Sequence, residues 1–231
     1  MNSYKFNDLI HGRHLYLRRI DKFEDPYEGY ITEQFKMALS KNFEFLEKLD
    51  VDTRRQKENE FRAQALLPMY SYANCWYVDE YESDKMWQNY GKEKNSIAIQ
   101  TTVKKLFDSI KYVDKGNNLY FEKIDYEDKP PSPIWLDIMF NKGKSYCFEK
   151  EFRLLSVMRT GIANLTYPYI NNLPNVRDIN NPHETYIDID LENFIERIYI
   201  SSNADQCFKD EIERELNQAN CKFIECSYSK L

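Results

Sequence analysis

The stretch from Thr185 to Ser227 leaves few architectures open. "TYIDID" alternates as a strand, "LENFI" reads as a short helix, and "ERIYIS" alternates again. "ADQCFKDEIERELNQA" then reads as a longer helix and "CKFIECS" as a closing strand. Strands and helices that take turns at such short intervals predict a mixed α/β arrangement. The same texture extends upstream. "HLYLR" has Leu15 and Leu17 on one face of a strand and Tyr16 and Arg18 on the other, and "MYSYANCW" alternates in the same way. "NSIAIQ" is a strand leading into the helix "TTVKKLFDSI", and "SDKMWQNYG" is a short helix stopped by Gly91. "KYV" and "LYFEKIDY", on either side of "DKGNN", predict a hairpin, and "IWLDIMF" predicts a helix.

From Tyr30 onward Ile31, Phe35, Leu39, Phe43 and Leu46 recur at three- and four-residue steps, and Thr53 with Gln56 has capping-box spacing. This predicts a helical insertion over about 30–67. The expected fold class is α+β, with a mixed or split sheet, flanking helices and that insertion, all within a single domain spanning 1–231. The loop rich in Asn and Pro that ends at His183 has the length of a lid or specificity loop; an ordinary surface excursion is the alternative.

Composition narrows the function classes. The net charge is -6, which argues against a general nucleic-acid coat protein. No apolar run is long enough to span a membrane, and the N-terminus lacks the apolar core of a secretory signal. The five cysteines are odd in number and follow neither disulfide nor zinc spacing, so a reducing cytoplasm is expected and no metal site is assigned. The six glycines form no phosphate loop, and serine-hydrolase and kinase signatures are absent.

The chemistry concentrates in "CFEKEFRLLSVM", Cys147 to Met158. On a regular strand Glu149, Glu151 and Arg153 stand in a row on one face, with Phe152, Leu154, Ser156 and Met158 turned to the core. Two acids at that spacing repel unless a cation lies between them. Arg153 supplies part of it, and a cationic ligand or a transition state that becomes positive could supply the rest. The plain alternative is an edge strand with a solvated acidic face. One use of such a pair is glycosidic cleavage at a nicotinamide ribose, where a carboxylate steadies an oxocarbenium-like centre. Another is magnesium-dependent phosphodiester cleavage, with Asp137, Glu149 and Glu151 as oxygen ligands and Lys144 and Lys150 nearby in sequence. Lys150, however, alternates away from the acids.

The early segment "LYLRRIDKFEDPYEG" holds further candidates. Asp25 and Glu28 flank Pro26 and Tyr27; they form a turn, or else they anchor a neighbouring arginine or a ligand hydroxyl. Arg18, at a strand end, could grip a pyrophosphate by its planar fork. Trp87 and Tyr90 could stack on a nicotinamide or an adenine; the plain alternative packs Met86, Trp87 and Tyr90 onto the sheet.

These strings in this order resemble a widespread bacterial family of unknown function whose relatives occur among mobile-element and phage-defence genes. Its aromatic-Asn-Asp-Pro-Phe-Glu turn is matched by Phe23, Glu24, Asp25, Pro26, Tyr27 and Glu28, with Glu24 in place of Asn. Its Met-Trp-x-x-Tyr helix is matched by Met86, Trp87, Tyr90 and Gly91. Its Glu-x-Glu-x-Arg strand is matched by Glu149, Glu151 and Arg153. "NSIAIQ" lacks the glycine the family often has before its strand. The layout is similar to that of ADP-ribosyltransferases, which bind NAD in a cleft of a split sheet. That similarity implies NAD as a substrate, with Glu151 steadying the ribosyl cation and Glu149 positioning the acceptor. It also implies Arg18 on the phosphates and Trp87 or Tyr90 on the nicotinamide. A magnesium-dependent nuclease and a non-catalytic ligand-binding or interaction protein are the alternatives. The partner expected throughout is a small nucleotide-type molecule.

Overall fold

Apolar alternation builds two sheets. The computed structural model describes residues 1–25, 28–29, 48–56, 66–112, 117–126, 136–158 and 180–231. A six-stranded antiparallel sheet has the order β4-β7-β1-β2-β6-β5, and a three-stranded mixed sheet has the order β3-β8-β9. The strands are β1 His14–Arg19, β2 Ser71–Tyr77, β3 Ile97–Gln100, β4 Ile110–Tyr112, β5 Asn117–Lys123, β6 Glu151–Met158, β7 Glu184–Ile189, β8 Arg197–Ile200 and β9 Glu225–Tyr228. The α+β class is therefore observed. No helix among the described residues is long and apolar enough to cross a membrane.

The chain divides into two compact units. The first comprises Met1–Tyr16, Asp79–Val113 and Tyr186–Leu231. Its three-stranded sheet pairs β3 with β8 antiparallel and β8 with β9 parallel. The Gln206–Gln218 helix buries Phe208, Ile212 and Leu216, a stripe at four-residue steps, and Asp205 caps its start by accepting the Phe208 N–H at 3.0 Å. A helix over Ser3–Gly12 precedes β1. It buries Phe6, Leu9 and Ile10, is capped by Asn2, and ends at Arg13 in the left-handed region. The Asp84–Tyr90 helix starts at the cap Ser83 and buries none of its residues.

The second unit comprises Leu17–Val78 and Asp114–Thr185. Here β2 pairs with β6 over seven residues, Ser71↔Val157 to Tyr77↔Glu151, and β5 pairs with β6 from Asn117↔Met158 to Lys123↔Phe152. Strand β6 is thus interior, and every residue from Glu151 to Val157 is buried. On one face Ala73, Leu155 and Val157 pack with Ile20, Leu67, Ile124, Ile138, Met139 and Phe140. Full burial of a side chain such as Leu155 contributes about 1.5–3 kcal/mol.

Several expectations are corrected. The alternation of β6 does not mark a solvated edge, because β2 and β5 pair along both of its edges and the residues on both of its faces are buried. Nor do β4 and β5 form a hairpin: three-residue β4 pairs with β7, and β5 finds a seven-residue partner in β6. The longer ladder wins because each added pair contributes backbone hydrogen bonds and side-chain contacts. The described end of "IWLDIMF", Asp137–Phe140, is a 3-10 helix, and so is Leu67–Tyr70, where a strand was expected at Met69. The cap before the helical turn at 51–56 is Asp50, whose carboxylate accepts the Thr53 N–H at 3.0 Å, and not Thr53 itself. Most of the insertion expected over 30–67, and most of the loop ending at His183, lie outside the described residues, as do Pro26 and Tyr27.

Candidate functional site

Glu151 and Arg153, two apart on β6, point to one face as the spacing predicts. Glu149 reaches the same place by another route. It ends a 3-10 helix over Lys144–Glu149, and Lys150, left-handed at φ 40, reverses the chain into the strand. The continuous strand expected through 149–153 is therefore broken at Lys150. Lys150 itself is exposed. A non-glycine residue in that conformation costs about 1–2 kcal/mol.

The three charged groups meet two more. Arg153 Nε donates to Glu151 Oε1 at 2.7 Å, Arg153 Nη1 donates to the Met139 carbonyl at 2.6 Å, and Arg153 Nη2 donates to Glu28 Oε1. The Lys142 ammonium lies 2.6 Å from Glu149 Oε2, 3.3 Å from Glu28 Oε2 and 3.4 Å from Glu151 Oε2. Arg153 is 0% exposed, and Glu28, Glu149 and Glu151 are 3%, 5% and 5% exposed. The cation that the Glu-x-Glu spacing demands is thus supplied by the chain itself, chiefly by Lys142.

Backbone bonds fix Lys142 in place. The Asp125 N–H donates to the Phe140 carbonyl at 2.8 Å, and the Lys142 N–H donates to the Asp125 carbonyl at 2.9 Å. The chain at 140–142 thereby lies along the extension of β5, which itself continues beside β6 through the Ile124 N–H to Glu151 O bond at 2.9 Å. Tyr126 closes the network from beside β5: its hydroxyl oxygen accepts the Glu151 N–H at 2.8 Å.

Electrostatics follows from this packing. Burial pushes the Glu151 carboxyl up, but Arg153 and Lys142 together outweigh it and hold the group below its usual range. Burial pulls the Lys142 ammonium down, and the carboxylates of Glu28, Glu151 and Glu149 more than reverse that. Arg153 stays charged for the same kind of reason, with burial opposed by Glu151 and Glu28 among its neighbours. Burial, reinforced by the nearby carboxylates, drives the Tyr126 hydroxyl up to about 12.

Cys75 stands directly across from Arg153 in the β2–β6 register, and the Glu151 carboxylate acts on its thiol. The residue keeps exposed surface although protein surrounds its thiol. Burial and the Glu151 carboxylate raise its pKa well above the usual thiol value, so it is a hydrogen-bond donor and not a thiolate nucleophile.

The remaining candidates fall elsewhere. Arg18 is exposed on β1. Its neighbour Arg19 continues the buried face of Leu15 and Leu17 and pairs with Asp21 at 2.5 Å. Asp25 contributes its carbonyl, which accepts the Glu28 N–H at 3.1 Å and closes a turn. Trp87 and Tyr90 belong to the first unit. Trp87 Nε1 donates to Glu82 at 3.0 Å, and the Ser229 hydroxyl donates to the same carboxylate. Tyr90 is exposed. Gly91 is required because a Cβ there would lie 2.7 Å from the Trp87 ring. Asp25 and Glu28 thus differ: the Asp25 carbonyl accepts the Glu28 N–H, and the Glu28 carboxylate joins the charged network.

Sequence reasoning missed Lys142, Cys75 and Tyr126. Strand alternation flags Cys75 only once its register against Arg153 is known, and Lys142 and Tyr126 carry no local signal. Asp137, the further acid of the magnesium reading, sits on its own 3-10 helix and is not a partner of Lys142. No family model matches the chain, and no curated protein or solved structure is similar to it.

Proposed function

We propose that this protein is a binding or interaction protein in which the network of Glu28, Lys142, Glu149, Glu151 and Arg153 organises a recognition site without itself supplying a reacting group. One observation carries this reading: both carboxylate oxygens of Glu151 already face cations of the chain, Oε1 on Arg153 and Oε2 on Lys142. A carboxylate that is to steady a ribosyl cation must present uncompensated negative charge to it. A magnesium ion would need the point on which Glu28, Glu149 and Glu151 converge, and the Lys142 ammonium fills that point. A fully partnered buried network is a device for holding a structure in one arrangement. Its ligand is a small molecule reached beside Cys75. The proposed compartment is the cytoplasm, supported by five cysteines that are all free.

The test is incubation of the purified protein with NAD, and separately with nucleic acid plus magnesium. Neither nicotinamide release nor strand cleavage is expected above buffer, while native mass spectrometry is expected to find a retained small molecule. Nicotinamide release that disappears in Glu151→Gln, with the fold intact by circular dichroism, would overturn the reading in favour of an NAD-cleaving enzyme.

A further inference from the structure

The five members of the network do not have equal standing. Lys142, Glu149, Glu151 and Arg153 lie within one short stretch of chain and balance in formal charge, two acids against two cations. Glu28 comes from far away in sequence and makes the count three acids against two cations. Like Glu151 it bridges both cations of the network, but it does so from outside the stretch of chain that carries them. One of its oxygens meets the Arg153 guanidinium and the other lies 3.3 Å from the Lys142 ammonium, so a single carboxylate bridges two fixed cations. Arginine paired with a second cation is a recurrent receptor for carboxylates, because the planar fork fixes orientation and the second charge raises affinity.

We propose that Arg153 and Lys142 form a carboxylate-binding site that Glu28 fills as a built-in occupant, and that the carboxylate of a small ligand takes its place. This rests on the reading of the network as a recognition site. The exchange is of like for like. The charge inside the network is unchanged, and the hydration the ligand loses is regained by Glu28 as it reaches water. What a ligand must overcome is the effective concentration of a tethered group, about millimolar for a short connection. A lone acetate therefore competes poorly, and a ligand with further contacts competes well. Cys75, across from Arg153 and exposed, marks the side from which solvent reaches the network.

The seat of Glu28 depends on its neighbour. Gly29 has φ 69, and a Cβ there would lie 2.5 Å from Ile20 Cγ2 and 3.3 Å from Met139 Sδ. Gly29→Ala should therefore lift the turn off Ile20 and withdraw the Glu28 carboxylate while leaving it in the chain. Glu28→Ala removes the occupant outright.

The experiment measures binding of acetate and succinate, and of a short peptide ending in glutamate, by calorimetry and by thermal shift. The proteins are the full chain as wild type, Glu28→Ala, Glu28→Gln and Gly29→Ala. Glu28→Ala and Gly29→Ala are expected to bind acetate at least tenfold more tightly than wild type, and acetate is expected to raise the Tm of Glu28→Ala toward the wild-type value. Glu28→Gln, which keeps the shape without the charge, is expected to show a smaller tightening; it replaces Glu28→Ala as the deciding variant if the latter does not fold. Preference for succinate over the peptide assigns the ligand to free acids, and the reverse assigns it to peptide termini. Equal acetate affinity in wild type and every folded variant, or no binding in any of them, overturns the proposal. The NAD and nuclease assays above are independent of this outcome: turnover would remove the binding reading, whereas unchanged acetate affinity with no turnover would remove only the role given to Glu28.

Discussion

Two arginine–glutamate pairs in this protein share a distance and little else. Arg153 and Glu151 meet at 2.7 Å with side chains 0% and 5% exposed, and Arg197 and Glu225 meet at 2.7 Å with side chains 40% and 61% exposed. The first pair sits in an interior strand of the second unit, and the second joins β8 to β9 in the first unit. Geometry alone makes them equals. Burial separates them, because an exposed pair exchanges one set of water contacts for another, whereas a buried pair strands a charge if its partner is lost.

The largest effect is expected for Arg153→Met. It leaves Glu28 and Glu151 buried without their guanidinium and removes the donor to the Met139 carbonyl. A loss of about 3–5 kcal/mol in urea unfolding is expected, a large share of the stability of a typical domain. A loss no greater than that of the exposed-pair variant would break the comparison.

Next comes Glu151→Gln, at about 1–3 kcal/mol at neutral pH. Burial acts to raise this carboxyl, and Arg153 and Lys142 lower it further than burial raises it, so its folded pKa lies below the unfolded one. The folded protein thus binds fewer protons than the unfolded chain around the ordinary Glu value of about 4.3. Its contribution is present above that pH and is lost as pH falls through the folded value. Urea midpoints measured from pH 7 down to pH 3 should fall less steeply in Glu151→Gln than in wild type.

A smaller effect of opposite sign is expected at Lys150, whose left-handed backbone turns the chain between Glu149 and Glu151. Lys150→Gly relieves that conformation at some cost in unfolded-state entropy, for a net gain of up to about 1 kcal/mol. Lys150→Val should destabilise, because a β-branched side chain tolerates that conformation least. A neutral or favourable valine would mean that the turn does not set the position of Glu149. The smallest effect is expected at the exposed pair. Glu225→Gln removes the exposed partner of Arg197, and its Tm should match wild type within experimental error.

Much of the fold was legible because its signals are local. Alternation marked most of the strands, Ser83 and Gly91 bounded the helix between them, and the spacing of Glu151 and Arg153 placed both on one face. The errors arose where competition between distant segments decides. The apparent β4–β5 hairpin lost to longer-range partners, and β6 lies inside the sheet and not at its edge. At the site, Glu28 was legible as an acid able to hold an arginine, but the arginine it holds is 125 residues away and not the neighbouring Arg18.

The order of residues alone carried the α+β class, the alternation of most strands, and the need for a cation beside two closely spaced acids. Each follows from backbone periodicity or from repulsion between near neighbours, which act over a few residues. Packing in three dimensions settled which cations answer that need, that Glu28 joins them, and that Arg153 and the three acids are buried. Coulomb energy depends on distance in space and on the surrounding dielectric, and neither is fixed until strands far apart in the chain have paired.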